Sequence, residues 1–344
     1  NHHKDSSDDD DDDDDGGYTN NHNDDDDEYS FYKQRFGKDD KYTFMRHKEY
    51  MRVDAVVMEL LSSSPRAIDI YSHCGMSSVV EYTPYSMEDY LLPTTGWTPK
   101  SLRRRGGRRG RMRQQRRAEE ILKKKNEELE NNGKVLSEDY YNEEEEEEEE
   151  EEYPLNDYIS PEEKLSIALE MAKSLAVLHG HPDGPIAHSD VQVGQFFRGT
   201  DGVLKIVDYN RAEFVLYNVA KEEYCRWGNG APVDGSLRAP EENVDAPLDE
   251  SMDVYSLGNN LYSVLTGKLA WAGLPLEDVT KKIVNGERLA VPEFYREVPA
   301  THSLVRVMEA CWTYDPEERP SIFDVVEMLE EAVRDHPVVE KAWA

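Results

Sequence analysis

Two aspartates in the second half of the chain are spaced for chemistry that needs a pair of carboxylates. Asp190 follows His188-Ser189, and Asp208 comes 18 residues later, directly after the apolar pair Ile206-Val207. Phosphoryl transfer uses one carboxylate near the attacking hydroxyl and a second one on Mg²⁺. The alternative is that each aspartate only caps a loop. The pair therefore predicts a phosphoryl-transfer site if other motifs of such a site surround it.

A series of short motifs does surround these aspartates and continues toward the C-terminus. In chain order it comprises His188-Ser189-Asp190, Gln195, Asp208-Tyr209-Asn210, Ala239-Pro240-Glu241, Asp253 with Gly258, and Cys311-Trp312 through Asp315-Pro316 to Arg319-Pro320. Each motif is weak alone, but in this order the series resembles the C-terminal lobe of a eukaryotic protein kinase. The resemblance implies a bilobal α+β fold with a small, β-rich N-lobe and a helical C-lobe.

Three smaller details are similar to a divergent, stramenopile-like group of kinase-like sequences. They are Met58-Glu59-Leu60-Leu61, Asp190-Val191-Gln192 and Gly258-Asn259-Asn260. The resemblance covers about residues 30 to 95 and 158 to 334.

The resemblance implies chemical roles for four residues. Asp190 would orient the substrate hydroxyl and accept its proton, while Asp208 and Gln195 would hold Mg²⁺. Gln192 stands where kinases place a catalytic-loop lysine near the transferred phosphate. A neutral amide can donate a hydrogen bond there but brings no charge, so transition-state stabilisation should be weaker.

Four more residues would have architectural roles by the same resemblance. Asp253, on a buried helix, would hold the backbone of the catalytic loop that contains His188. Glu241 of Ala239-Pro240-Glu241 would pair with the distant Arg319.

The N-lobe resemblance rests on fewer residues. Ser30 to Lys33 would be the third strand, with Lys33 on the α- and β-phosphates of ATP and Asp54 as its partner on the next helix. Val80 would line the back of the adenine pocket. Glu81, Tyr82 and Thr83 would form the hinge whose backbone meets adenine. The alternative for Lys33 is an ordinary exposed lysine.

Several departures keep a second function open. No Gly-x-Gly-x-x-Gly precedes Lys33, and the window from Asp10 to Gly17 is nearly all aspartate, which would repel ATP. Ser189 replaces the arginine that pairs with a phosphorylated activation loop, and Asn210 replaces a glycine. The leading expectation is an ATP- and Mg²⁺-dependent kinase acting on protein hydroxyls. The alternative is a catalytically impaired pseudokinase that serves as a binding scaffold.

Periodicity predicts the elements that position these residues. Met51, Ala55, Met58 and Leu61 recur at helical spacing and predict a helix from Met45 to Leu61. Short apolar runs at 67–71 and 78–82 predict strands. Ser160-Pro161 followed by Glu163 predicts a capped helix start, with a buried stripe that ends at Leu178. Helices are also expected at 254–266, 276–284, 303–312 and 321–334.

Composition separates charged stretches from globular ones, and together with the resemblance it divides the chain into five parts. We expect an acidic disordered tail at 1–28, an N-lobe portion at 29–97, a disordered insert at 98–157, the C-lobe at 158–336 and a short tail at 337–344. The insert is basic from Lys100 to Lys125 and ends in glutamates 143–152. Such runs cannot bury apolar surface, and they supply much of the net charge of −33. The basic segment could bind nucleic acid or acidic membranes, but it lacks interleaved aromatics, so a solvated linker is favoured.

Three further features concern location. Cys74, Cys225 and Cys311 fit no metal spacing and predict reduced, mostly buried thiols in an intracellular protein, cytoplasmic or nuclear. No apolar stretch is long enough for a membrane span, and no signal peptide is visible. The chain begins at Asn1 rather than Met, which is consistent with a fragment.

Overall fold

The computed structural model describes Ser30, Lys33 and residues 41–92, 156–228, 237–244 and 246–338. The tail at 1–28, nearly all of the insert at 98–157 and most of 337–344 lie outside the described residues. The domain boundaries drawn there, and nucleic-acid binding by the basic segment 100–125, therefore stay predictions.

The N-terminal part consists of one long helix and one hairpin. Helix α1 (Lys41–Leu61) is followed by strands β1 (Ile70–Cys74) and β2 (Ser77–Val80), which pair antiparallel. The buried face of α1 carries Phe44, Val57, Met58 and Leu61, with Ala55 at its edge. The predicted helix was correct in register and one turn too short at its start. Most residues of the hairpin are exposed on both strands.

Next come strand β3 (Tyr85–Ser86), helix α2 (Met87–Leu91) and helix α3 (Pro161–His179). The Oγ of Ser160 accepts the backbone N–H of Glu163, as its sequence context predicts. The Glu163 carboxylate accepts a hydrogen bond from Tyr90 Oη at 2.7 Å. This glutamate therefore ties α3 to α2.

Short strands frame the loops that carry the motifs. Strands β3, β5 (Phe196–Arg198) and β6 (Leu204–Ile206) form one sheet in the order β3-β5-β6. Strand β4 (Ile186–Ala187) pairs with β7 (Glu213–Phe214), so the segments before and after the aspartates are joined. Two further pairs lie beyond them: β8 (Tyr217–Asn218) with β9 (Glu223–Tyr224), and β10 (Trp227–Gly228) with β11 (Pro247–Leu248).

The helical part is built around helix α4 (Ser251–Thr266), whose residues from Met252 onward are all buried. A helix buried all round must be enclosed by other elements. Four helices follow α4 in the chain: α5 (Leu276–Val284), α6 (Phe294–Glu297), α7 (Pro299–Cys311) and α8 (Ile322–Asp335). Helices α3 and α7 both pack on α4, and α8 packs on α3 and α7.

The α+β prediction is confirmed, with two corrections in detail. Ser30 and Lys33 are helical, so the strand predicted from Ser30 to Lys33 is wrong. Cys74 and Cys225 are exposed, and only Cys311 is buried, so the prediction of mostly buried thiols is also wrong. The three thiols are unpaired. Among the helices of the described residues, none is long and apolar enough to span a membrane.

Candidate active site

Asp253 of α4 anchors the loop that carries Asp190. Its Oδ2 accepts the backbone N–H of His188 at 2.6 Å, and its Oδ1 accepts that of Ser189 at 2.9 Å. The ring Nε2 of His179, at the end of α3, lies 3.1 Å from the same Oδ2. A carboxylate that is 1% exposed needs such partners to offset the loss of water. The helix core therefore fixes the loop through its backbone.

His188 joins this loop to the strand that leads to Asp208. Its Nε2 lies 3.1 Å from the carbonyl oxygen of Val207, and its ring meets the Tyr209 ring edge-on with centroids 5.7 Å apart. The Nδ1 atom is buried and has no hydrogen-bond partner. Because Val207 immediately precedes Asp208, His188 sets the distance between the two motif segments.

Asp190 is half-buried, and both of its carboxylate oxygens have donors. Arg238 Nη2 donates to Oδ1 at 2.9 Å, and Gln192 Nε2 donates to Oδ2 at 3.2 Å. Ser189 adopts a left-handed backbone conformation at φ 60°, which is costly for a residue with a side chain. The hydrogen bonds that the backbone N–H groups of His188 and Ser189 donate to Asp253 hold this strained residue and thereby direct the Asp190 side chain.

Arg238 is a site residue that the sequence did not reveal. Besides Asp190, its Nη1 donates to the carbonyl oxygen of Ser189 and lies 3.4 Å from Glu242 Oε1. Glu242 is buried and accepts the backbone N–H of Ala239 at 2.7 Å. Burial raises the pKa of Glu242 to about 7, against the lowering effect of Arg238. The only available signal was an arginine directly before Ala239-Pro240-Glu241.

Asp208 lies on the turn after β6 in a left-handed conformation, φ 68°. Gln195 Nε2 donates to its Oδ2 at 3.0 Å, and Asn210 Nδ2 donates to its Oδ1. The structure thus brings Asp208 and Gln195 together, as the motif spacing requires. Asn210 occupies the position of a glycine in the motif and caps the carboxylate.

Asp54 connects α1 to this turn. Its Oδ1 accepts the backbone N–H of Tyr209 at 2.7 Å. Burial raises the pKa of Asp54 to about 6; the hydrogen bond from Tyr209 opposes this shift, and the nearby charge of Asp208 adds to it. Tyr209 is fully buried, and its hydroxyl donates to the Ile206 carbonyl oxygen at 2.6 Å. Helix α1 is therefore docked on the Asp208 turn.

Lys33 is exposed and helical, in contrast to the strand position that the resemblance implied. Asp54 is directed at Tyr209 in the described contacts, so its partnership with Lys33 stays a prediction.

The predicted hinge lies after β2. Glu81 pairs its Oε2 with Lys205 Nζ at 3.0 Å, and its backbone N–H donates to the Asp69 carbonyl oxygen. Lys205 of β6 is buried, so this ion pair fixes the hinge to the strand that leads to Asp208. Val80 and Tyr82 are exposed, Tyr82 at 75%. Contacts of Val80, Glu81, Tyr82 and Thr83 with adenine stay predicted.

Glu241 and Arg319 form a buried, two-pronged ion pair. Arg319 Nη1 donates to Glu241 Oε1 at 2.6 Å, and Nη2 donates to Oε2 at 3.1 Å. The remaining donors of the guanidinium reach the carbonyl oxygens of Thr313, Tyr314 and Ser251. This arginine therefore fastens the Ala-Pro-Glu segment to the loop before α8 and to the start of α4.

The oxygen atoms of Asp208 and Gln195 are of the kind that binds magnesium. Carboxylate and amide oxygens are the hard ligands that Mg²⁺ prefers, and it commonly takes only one or two carboxylates beside water and phosphate oxygens. Asp208 and Gln195 supply such a pair, provided that Gln195 turns its amide oxygen rather than its N–H toward the metal. Within residues 41–92, 156–228, 237–244 and 246–338, no cluster of three or more His, Cys, Asp or Glu side chains forms a metal site.

Comparison with known proteins places this geometry in context. A family model described as protein tyrosine and serine/threonine kinase matches residues 40–329. The match therefore begins before α1 and ends within α8; it includes the motif segments from Asp54 to Arg319 and leaves out Lys33.

Similar proteins from two organisms agree with that match. Serine/threonine-protein kinase STY17 of Arabidopsis thaliana is 28% identical over 176 residues, which cover 50% of this chain and 28% of the relative. Serine/threonine-protein kinase 12 of the same plant is 24% identical, with 54% and 39% covered. Ankyrin repeat and protein kinase domain-containing protein 1 of Mus musculus is 29% identical, with 47% and 22% covered. The chain thus spans less than half the length of each of these relatives.

Proposed function

Because the chain belongs to the protein tyrosine and serine/threonine kinase family, we propose that it transfers a phosphoryl group from ATP to hydroxyl groups of protein substrates. One observation carries the proposal. The fold holds Asp190 and Asp208 on two loops that are tied together through His188 and Val207. Two carboxylates fixed in this way are what the reaction requires.

Asp190 would act on the substrate hydroxyl. Its Oδ1 is held by the charged Arg238, whereas its Oδ2 is held only by the neutral amide of Gln192. Charge-assisted hydrogen bonds are about twice as strong as neutral ones. A substrate hydroxyl would therefore displace Gln192 and donate to Oδ2, which orients the hydroxyl and receives its proton.

Magnesium, held by Asp208 and Gln195, would neutralise the phosphate oxygens when it is bound with ATP. Asn210 would keep the Asp208 carboxylate in place from its other side. Lys33 is proposed to contact the α- and β-phosphates, and Val80 with residues 81–83 to contact adenine. Gln192 stands where kinases have a lysine, and no other described residue of the catalytic loop supplies the missing positive charge. Turnover should therefore be slow.

A specific observation favours a second candidate, a pseudokinase that binds partners without turnover. All four carboxylate oxygens of Asp190 and Asp208 already accept hydrogen bonds from the chain itself. Such internal satisfaction stabilises the site without nucleotide or metal. A scaffold that has lost its chemistry would keep this arrangement.

The test compares nucleotide binding with phosphoryl transfer. Thermal unfolding of the full chain is measured with ATP at about 1 mM, the upper end of ordinary KM values, with and without Mg²⁺. A Mg²⁺-dependent rise in Tm is expected, lost in Asp208→Ala and kept in the control Asp183→Ala, an exposed carboxylate. Transfer of labelled phosphate to a protein acceptor is followed in parallel. A Tm rise without transfer would support the scaffold. If neither a Tm rise nor transfer is observed, the kinase proposal is refuted.

A further inference from the structure

We propose that Arg238 is a positioning residue for the reaction: it sets the orientation of the Asp190 carboxylate and fastens the catalytic loop to the Ala239-Pro240-Glu241 segment with no phosphorylated residue. This inference rests on the proposed function and names a regulatory consequence of the same site.

The contacts of Arg238 link two separate stretches of chain. One guanidinium nitrogen binds Asp190 Oδ1 at 2.9 Å, and the other binds the Ser189 carbonyl oxygen. The second nitrogen also faces Glu242 Oε1 at 3.4 Å. A planar fork with several donors can hold a carboxylate and a carbonyl at once, which the point charge of a lysine cannot do.

Burial makes these contacts strong. The side chain of Arg238 is 8% exposed and that of Glu242 is 3% exposed, while Asp190 keeps 24%. Water screens an ion pair in this setting much less than at the surface. The Asp190 side chain keeps part of its surface exposed, and its Oδ2 accepts only from the neutral amide of Gln192, so Arg238 holds the carboxylate through the other oxygen.

Ser189 stands where many kinases have an arginine that binds a phosphorylated residue, and this replacement bears on regulation. A serine cannot read a phosphate as an arginine would, because it carries no charge. Arg238 lies between Asp208 and Glu241, in the stretch that corresponds to the activation segment of kinases. It instead supplies a cation there, and the anion that it binds, Asp190, is already part of the chain. The described contacts thus complete the loop in the unmodified protein, so activity should not depend on phosphorylation of the segment.

The experiment uses the full chain with and without prior treatment by a broad-specificity phosphatase, and intact mass confirms that the treated protein carries no phosphate. Initial rates are measured with Mg²⁺-ATP and myelin basic protein as acceptor for wild type, Arg238→Met and Arg238→Lys. Arg296→Met serves as the control, since Arg296 pairs with Glu309 on the surface of α7.

Arg238→Met should lower kcat roughly 10- to 100-fold, as expected when a catalytic group is misplaced by about an ångström. The KM for ATP should stay within about 2-fold, because only transition-state geometry is lost. The kcat of Arg238→Lys should lie between those of wild type and Arg238→Met, because lysine keeps the charge and loses the two-pronged geometry. The phosphatase-treated wild type should keep its rate. Unchanged kcat in Arg238→Met, or loss of wild-type activity after phosphatase treatment, would overturn the inference.

Hydrogen exchange separates this outcome from failure of the proposed function. If the wild type transfers no phosphate, the kinase proposal fails, and the exchange of the peptide at 186–192 then decides the inference. Faster exchange in Arg238→Met than in Arg296→Met supports positioning, and equal exchange overturns it. If Arg238→Met does not fold, the same comparison is made with Arg238→Lys and with Glu242→Gln, which keeps one acceptor oxygen and removes the charge that faces Arg238.

Discussion

At the scale of single residues, the candidate site depends on carboxylates that organise backbone. Asp253 accepts hydrogen bonds from two backbone N–H groups of the catalytic loop, and Asp54 accepts one from the backbone N–H of Tyr209. Each of these side chains is short, so a hydrogen bond from it places a backbone segment closely. Among the residues that the structure describes, Arg238 supplies the charged contact to Asp190. The geometry of the reacting groups is thus set by neighbours that need not touch the substrate.

Removing Arg319 should destabilise the protein strongly. Arg319→Met leaves Glu241 buried without its partner, and breaking a buried pair from one side costs about 3–5 kcal/mol. Urea unfolding would measure the loss. Arg296→Met breaks a partly exposed pair and should cost only about 0–1 kcal/mol. Equal losses for the two variants would show that the Glu241–Arg319 pair is not special.

Asp54 should make stability depend on pH. Its pKa is raised from 3.8 to about 6 in the folded protein, so the folded state keeps a proton that the unfolded chain loses in that interval. This contribution is complete below the unfolded pKa and is lost as pH rises through the folded one. Asp54→Asn keeps an acceptor for the Tyr209 N–H and removes the titration.

The measurement is the free energy of unfolding of wild type and Asp54→Asn at several pH values between about 4 and 7. The variant should gain stability relative to wild type as pH rises, whereas Asp183→Asn, which alters an exposed carboxylate, should track wild type. A parallel course for Asp54→Asn and wild type would contradict the raised pKa.

At the scale of elements, α4 is the part of the fold on which the site is assembled. It carries Asp253 near its start, and Asn260 donates to the Val191 carbonyl oxygen in the catalytic loop. Asn259 accepts from Trp312 Nε1 at 3.1 Å and donates to the Leu237 carbonyl oxygen. One buried helix thus contacts the catalytic loop, the segment before Ala239 and the end of α7.

Gly258 permits the close packing of α4 on the end of α7. A Cβ added there would lie 2.8 Å from Trp312 Cδ1 and 2.9 Å from Cys311 Cβ. Gly258→Ala should therefore cost about 1–3 kcal/mol through overpacking, measured as a fall in Tm. Gly180→Ala is the milder comparison, because a Cβ there would lie 3.0 Å from the Ala176 carbonyl oxygen and 3.3 Å from the exposed Phe323 ring, with no contact under 3.0 Å. A neutral Gly258→Ala would mean that α7 moves away freely.

At the scale of the whole molecule, the two described ends that border residues 93–155 meet in space. The rings of Tyr90 and Tyr158 are edge-on with centroids 6.1 Å apart, and the Tyr158 hydroxyl donates to the Tyr90 carbonyl oxygen. Lys164 adds a buried anchor, because it donates to Asn156 Oδ1 and to the Leu265 carbonyl oxygen. The chain therefore re-enters the fold at a fixed point beside the place where it left.

A short connection should replace most of that stretch without loss of stability. When two ends are adjacent, loop length changes the free energy of closure only slowly, by about 0.6 kcal/mol per doubling. We expect the full chain and a variant with residues 98–152 replaced by a short Gly-Ser linker to unfold at the same Tm. A large fall in Tm would show that the removed residues pack on the fold.

The sequence by itself indicated the fold class, because its motif series resembles that of protein kinases, and it predicted the helices of the C-terminal part, because apolar periodicity is a local property of the chain. It also indicated Glu241 with Arg319 as partners, which the structure brings together. Tertiary structure alone decided the rest. Lys33 proved helical because strand formation depends on neighbours that a four-residue pattern does not specify. Arg238 lies 48 positions after Asp190 in the chain, and only folding makes such a pair adjacent.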